Sequence, residues 1–307
     1  MRRFVLARLA QAVVSIFVLI TVLFFLVRLT GDPVERMIPP QVTEEMAEEL
    51  KRAYGLDKPL IVQYGVFLGG LVTGDMGTSL YFRGRTVGEL LSLRILPSLE
   101  LSVFSMLFSL LIALPLGVYA AKYRGRGSDY VARIFSILGG AAPSFLVGLV
   151  MLRIFSVQLQ WFPTGGREGF LSVVLPTFTL GWFVSAGIMR LTRSSMLESL
   201  YGDYVKLARI KGVRESVVIW KHAFKNAALP VITYATVIFA AVIGGAIVTE
   251  YVFAWPGLGS LLIRAVIQRD FPVIQGAVIL IGSAFVICNF LADLAYAWIN
   301  PKIRYTR

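Results

Sequence analysis

Six long apolar runs divide the chain, at about 9–29, 98–121, 131–157, 171–191, 227–252 and 273–299. Each approaches or exceeds the roughly 20 apolar residues that carry a helix across a bilayer core. The pattern predicts an all-α integral membrane protein. It would form one transmembrane domain over 1–307, with six transmembrane helices and one large loop at 30–97. No β pattern and no clear internal repeat stands out.

The polar stretches predict smaller elements. Within the large loop, 43–54 is acidic and weakly amphipathic. Pro59 suits the first position of a helix, on which Tyr64, Phe67, Leu68 and Leu71 share a face. Gly74, Asp75 and Gly77 end that pattern, giving a small helical cap. At 255–259 the string WPGLG is turn chemistry, and Ser260 is placed to cap a short helix over 261–268. Between the fourth and fifth runs lies DYVKLARIKGVRESVVIWKHAFKNAALP, residues 203–230, the densest concentration of positive charge. Asp203 is placed to cap a helix with Tyr204, Leu207, Ala208 and Lys211 on one face. Gly212 offers a left-handed stop, and a second helix is expected over 215–223. Inside the runs, Pro115, Gly139, Gly140, Pro143, Gly244 and Gly245 disturb the helical pattern. Close helix packing and a bendable wall both account for them.

Composition sharpens the class. Hydrophobic residues are 57% of 307 and charged residues 16%, against about 25% charged in soluble domains. Arg2, Arg3 and Arg8 before the first run suggest a signal peptide, but the run is too long and no small-x-small site follows. It is read as a retained span. The net charge of +12 is unevenly spread. One alternate set of segments carries eighteen basic residues against four acidic ones; the other carries ten against eleven. That alternation is the positive-inside rule. It puts both termini and the 203–230 segment in the cytoplasm, and it removes the need for a nucleic-acid partner.

Charges within spans are costly and default to functional candidates. Arg28, Glu100, Arg153 and Glu250 lie near outer ends, where interfacial anchoring or pairing suffices. Asp293 is deeper and is expected to make a polar contact with a neighbouring span. The lone cysteine, Cys288, lies within the last run and builds neither a disulfide framework nor a thiolate site. The nearest string to a P-loop, GGLVTGDM at 69–76, lacks the phosphate-binding lysine. His222, the single histidine, has no second metal-ligating histidine or cysteine nearby. The chain is read as no enzyme, with no catalytic, metal or cofactor-binding residue of its own.

ARIKG at 208–212, followed by WKHAFKNAALP at 220–230, resembles the cytoplasmic coupling loop of bacterial ABC importer permeases of the dipeptide, oligopeptide and glutathione branch. The likeness runs in order along the whole chain: RRFVLARL near the start, TGDP at 30–33, YGLDKPLIVQY, GDMGTSL, FAWPGLGSLL, RDFPVIQG and NPKIR. One departure stands out. The general pattern opens Glu-Ala-Ala six residues before the glycine, where this chain has Lys206, Leu207 and Ala208. A glutamate salt bridge to the ATPase therefore does not carry over.

The resemblance implies the type I ABC importer permease fold, multi-pass in the bacterial inner membrane. Residues 192–226 would be the coupling loop and 30–97 a large periplasmic loop. It implies a homologous second permease subunit, two ABC ATPase subunits that bind ATP and Mg, and a periplasmic or lipid-anchored substrate-binding protein. Asp203, Tyr204, Ala208, Arg209, Lys211, Gly212, Val213 and Arg214 would meet an ATPase, with Ala208 permitting close approach. Trp255, Pro256, Gly257 and Gly259 would face the binding protein. Substrates of this branch include peptides, nickel, opines and oligosaccharides, and no residue discriminates them. A stand-alone secondary transporter would need inverted repeats and mid-membrane ionic sites. A membrane scaffold leaves the 203–230 segment unexplained.

Overall fold

The structure, a computed structural model, describes residues 2–29, 52, 57–82 and 84–299. The 43–50 stretch and the motifs at 30–33 and 300–304 lie outside the described residues. Twelve helices are named here. They are α1 (Arg2–Leu29), α2 (Leu60–Thr73), α3 (Val87–Lys122), α4 (Gly127–Ala141), α5 (Ser144–Met151), α6 (Leu171–Leu200), α7 (Asp203–Ile210), α8 (Glu215–Val217), α9 (Phe224–Gly245), α10 (Ile247–Val252), α11 (Leu258–Ile267) and α12 (Phe271–Ile299). Wide i→i+5 turns extend α5 through Leu152–Gln158 and join α8 to α9 through Val218–Ala223.

Five helical stretches are long and apolar enough to cross a membrane. The third apolar run is different: α4 and α5 are bent by 99° at Ala142 and Pro143. Ala142 is extended, with φ −108° and ψ 139°, as the clash of a following proline ring demands. The straight third span expected from hydropathy is therefore a broken one. It still joins opposite ends of the bundle. Asp129 at its start contacts Arg193 near the α6 C-terminus, while beyond its end Arg167 meets Glu100 and the Gly166 amide donates to Phe253 O.

Polar side chains start and join the helices. Thr86 and Glu89 form a reciprocal capping box at the start of α3. α3 carries a row of small residues, Ser98, Ser102, Ser105, Ser109, Ala113 and Gly117, all buried, of which Ser105, Ser109 and Gly117 meet α6. Small side chains let two membrane helices approach closely, and hydroxyls bridge them. Ser109 Oγ donates to Gly181 O at 2.8 Å. A Cβ on Gly117 would fall within 3 Å of Thr192, and one on Gly139 within 3 Å of Ala186. Close packing thus accounts for Gly139. Nothing crowds Gly140 or Gly244, and α9 stops one residue after Gly244.

α1 lies outside this core, with Leu6, Val13, Phe17 and Val22 exposed as lipid-facing residues should be. It packs on α12, where Arg8 meets Asp293 at 3.3 Å. That pair is the polar contact expected of Asp293, and it sets the start of α1 beside the end of α12. α2 follows its expected face, Tyr64 and Phe67 stacking on Phe24. Pro59 stands one position earlier than expected, as its N-cap.

Candidate coupling site at the basic end of the bundle

The 203–217 hairpin is built on a buried back face. Val205 and Ala208 of α7 pack with Val118 and Ala121 of α3, Met196 of α6 and the Val218–Ala223 turn. The hairpin is therefore seated directly on two long helices. Its front face is open. Tyr204, Leu207 and Ile210 are exposed, Ile210 by 81%, among exposed Lys206, Arg209, Lys211 and Arg214. Exposed apolar groups ringed by cations suit a partner surface better than water.

Gly212 ends α7 in a left-handed conformation, φ +74°. The Val213 amide donates to Ala208 O at 3.2 Å, and the Gly212 amide to Arg209 O at 2.9 Å. This is a Schellman closure, completed by the apolar contact of Val213 with the α7 core cluster. Arg209 Nη2 donates to Glu215 Oε1 at 2.8 Å and Nε to Oε2 at 3.2 Å, bridging the turn. Those hydrogen bonds hold the Glu215 carboxyl below its ordinary value and raise the Arg209 guanidinium.

Several expectations change here. Asp203 does not cap α7; Gly202 occupies the N-cap, and Asp203 pairs with Lys206 at 2.9 Å. Ala208 points into its own bundle rather than outward, so its small size serves internal packing. Arg209 is engaged by Glu215, while Lys211 and Arg214 have no ion-pair partner among the described residues. The second helix is no separate element: Glu215–Val217 runs through the wide turn into α9. Sequence reasoning missed Val205 and Ile210. Their period-3.6 signal was present, Val205 falling on the Ala208 side and Ile210 beside Leu207.

At the opposite end, the WPGLG turn folds inward. Trp255 is 1% exposed, and its indole Nε1 donates to Pro97 O at 2.9 Å. Glu250, also 1% exposed, accepts from Ser98 Oγ at 2.5 Å, Gly259 N at 2.7 Å and Ser260 N at 3.2 Å. Trp255, Gly257 and Gly259 are therefore inside the chain; Pro256 is only partly exposed. Ser260 does not cap α11, which starts at Leu258 with Gly257 as N-cap. Nearby, Asp270 is fully buried and accepts from Ser79 Oγ at 2.5 Å and from the Leu80 and Tyr81 amides. It fastens the 79–81 segment to the start of α12.

Comparison with known proteins decides the family. The model of the binding-protein-dependent transport system inner membrane component matches residues 113–305, and its N-terminal counterpart matches 1–82. The chain belongs to this permease family. Similar relatives include the glutathione transport system permease proteins GsiC of Salmonella typhimurium, 39% identical over 99% of this chain and 100% of the relative, and of Escherichia coli K12, 37% identical over the same shares. The Pectobacterium atrosepticum protein is 40% identical over 94% of each chain. Among solved structures, a chain of the inward-facing MetNI methionine ABC transporter superposes with a TM-score of 0.57. It is 17% identical and covers 69% of this chain and 96% of that one; the likeness is one of fold. This permease is an inner-membrane, multi-pass subunit, and ATP hydrolysis belongs to partner subunits.

Proposed function

We propose that this permease is one of two homologous membrane subunits of an ATP-driven importer of small peptides or peptide-like solutes. Two separate ATPases bind ATP and Mg at its basic end, and a substrate-binding protein delivers solute at the other. The substrate class rests on full-length similarity to relatives named for glutathione transport. One observation carries the coupling role. The exposed Tyr204–Leu207–Ile210 stripe sits on a helix whose other face is locked into α3, α6 and the α9 approach. A partner pushing on that stripe moves the long helices, provided it contacts the two states differently. Lys211 and Arg214 flank it and suit an acidic cleft.

The test uses the assembled importer in proteoliposomes with glutathione as solute. Gly212→Pro removes a donor and demands φ near −65° where the chain has +74°. Ile210→Asp places a charge on the stripe. Both variants are expected to insert and assemble while uptake falls at least tenfold relative to ATP hydrolysis. Full uptake with normal solute-stimulated hydrolysis in both would remove the coupling role.

A further inference from the structure

Between α4 and α6 lies a cleft of about 370 Å³ bordered by Arg133, Arg190 and Arg193 and by Ser136, its walls mostly apolar, with Ile137 and Met189 among them. One carboxylate answers two of the three guanidiniums. Asp129, 1% exposed, takes Arg193 through Nε at 2.7 Å and Nη2 at 3.1 Å. It takes Arg133 through Nε at 3.3 Å and Nη2 at 2.9 Å. Neither of these pairings uses Nη1. Arg190 is exposed and has no ion-pair or hydrogen-bond partner among the described residues. The three arginines and Asp129 together carry two net positive charges.

The cleft lies toward the hairpin end of α6. Arg190 and Arg193 precede the α6 C-terminus at Leu200 by about 10–15 Å at 1.5 Å per residue. Along α4 the neighbouring Ile134, Ile137 and Leu138 are exposed, Ile137 by 66%. Cations thus meet an open apolar wall, the two-part surface that a lipid presents in reverse. Arginine forks match phosphate oxygens better than point charges do, and basic pockets between spanning helices on the cytoplasmic side are headgroup sites.

We propose that this cleft binds the phosphodiester of an anionic phospholipid, of the phosphatidylglycerol class, from the leaflet on the coupling-hairpin side. Arg190 is the principal donor; Asp129 presets Arg133 and Arg193. The headgroup must be anionic because the cleft's one carboxylate is already engaged and none is left for a headgroup amine. A bound phosphate bridging Arg190 to Arg133 ties α4 to α6 next to the Asp129 bridge, and α6 leads directly into the hairpin.

Native mass spectrometry of the intact, delipidated importer decides this, with added phosphatidylglycerol, phosphatidylcholine or inorganic phosphate. Wild type is expected to retain phosphatidylglycerol about tenfold over phosphatidylcholine, because the two lipids share the phosphodiester and the choline ammonium is repelled by the two net positive charges of the arginines with Asp129. R190Q should erase that preference, R190K should keep more of it than R190Q, and R153Q, an exposed arginine elsewhere, should leave it intact. Equal retention of the two lipids, or a preference unchanged in R190Q, overturns the site. So does displacement of phosphatidylglycerol by millimolar inorganic phosphate, which would assign the arginines to a soluble anion. An R190Q complex that loses its ATPases with lipid binding unchanged would assign them to a protein partner instead.

Discussion

Gly257→Ala should destabilise the permease severely, although its backbone favours the substitution. Gly257 has φ −101° and ψ −176°, extended geometry that alanine adopts freely. With open space around it, the change would stabilise by about 0.4–1 kcal/mol through the unfolded chain. Space is what is missing. A Cβ there would fall within 3 Å of the Glu250 carboxyl carbon and both its oxygens. That carboxylate is buried and holds the Ser98 hydroxyl and the Gly259 and Ser260 amides. Moving it aside breaks at least two buried hydrogen bonds, each leaving a partner unsatisfied at about 1–3 kcal/mol. We expect a loss of about 3–5 kcal/mol, read as a fall of roughly 5–15 °C in the apparent Tm of the purified importer. Glu250→Asp draws the carboxylate back by about 1.5 Å, one bond length. Added to Gly257→Ala it should restore part of the loss, a coupling of at least about 1 kcal/mol in a double-mutant cycle. An alanine variant as stable as wild type, or two substitutions that simply add, would refute the latch.

Asp129→Ala should cost about 1–3 kcal/mol by removing the hydrogen bonds to the partly exposed Arg193 and to Arg133; hydrogen exchange should then rise along α4 while α6 stays protected. The Arg209–Glu215 bridge should depend on pH. Glu215 has a folded pKa below its ordinary 4.5, so its contribution is complete above that value and disappears as pH falls through the lower folded value. Proteolysis at the 203–217 hairpin should accordingly rise only below pH 4.5, and Glu215→Gln should flatten the profile. Asp270→Ala orphans the Ser79 hydroxyl and the Leu80 and Tyr81 amides. A loss of about 2–4 kcal/mol and faster cleavage between residues 75 and 86 by external protease are expected.

Five of the six crossings were legible because apolar runs of that length have one solution in lipid, a hydrogen-bonded helix. The bend in the third was not. Pro143 breaks its helix, yet Pro97, Pro115, Pro176 and Pro230 sit inside α3, α6 and α9, so proline alone does not say where a crossing turns. The hairpin at 203–217 was legible down to its left-handed glycine, since a Schellman closure is local. The direction of Ala208 was not, because which face of α7 is buried depends on α3 and α6 residues more than 80 positions away or one helix earlier. The burial of three carboxylates was illegible for the same reason, even for Glu250, which was read as an interfacial charge. Asp129, Glu250 and Asp270 find partners 64, 152 and 191 residues distant, and a sequence marks an acid without marking its donor. The serine row of α3 could have been found: Ser98, Ser102, Ser105 and Ser109 already trace one helical face.

The 99° turn at Pro143 also settles a problem of length. From Gly127 to Gln158 the two arms are 15 residues each, about 22 Å apiece at 1.5 Å per residue. Laid end to end they would reach about 45 Å, half as long again as the roughly 30 Å hydrocarbon layer. Folded through 99°, the distance between their far ends contracts to about 29 Å by simple trigonometry on those arms. A sequence too long for an upright crossing thus spans the layer as an elbow, without tilting the whole segment or thickening the bilayer around it. Straightening that elbow would drive one end out of the hydrocarbon by some 15 Å.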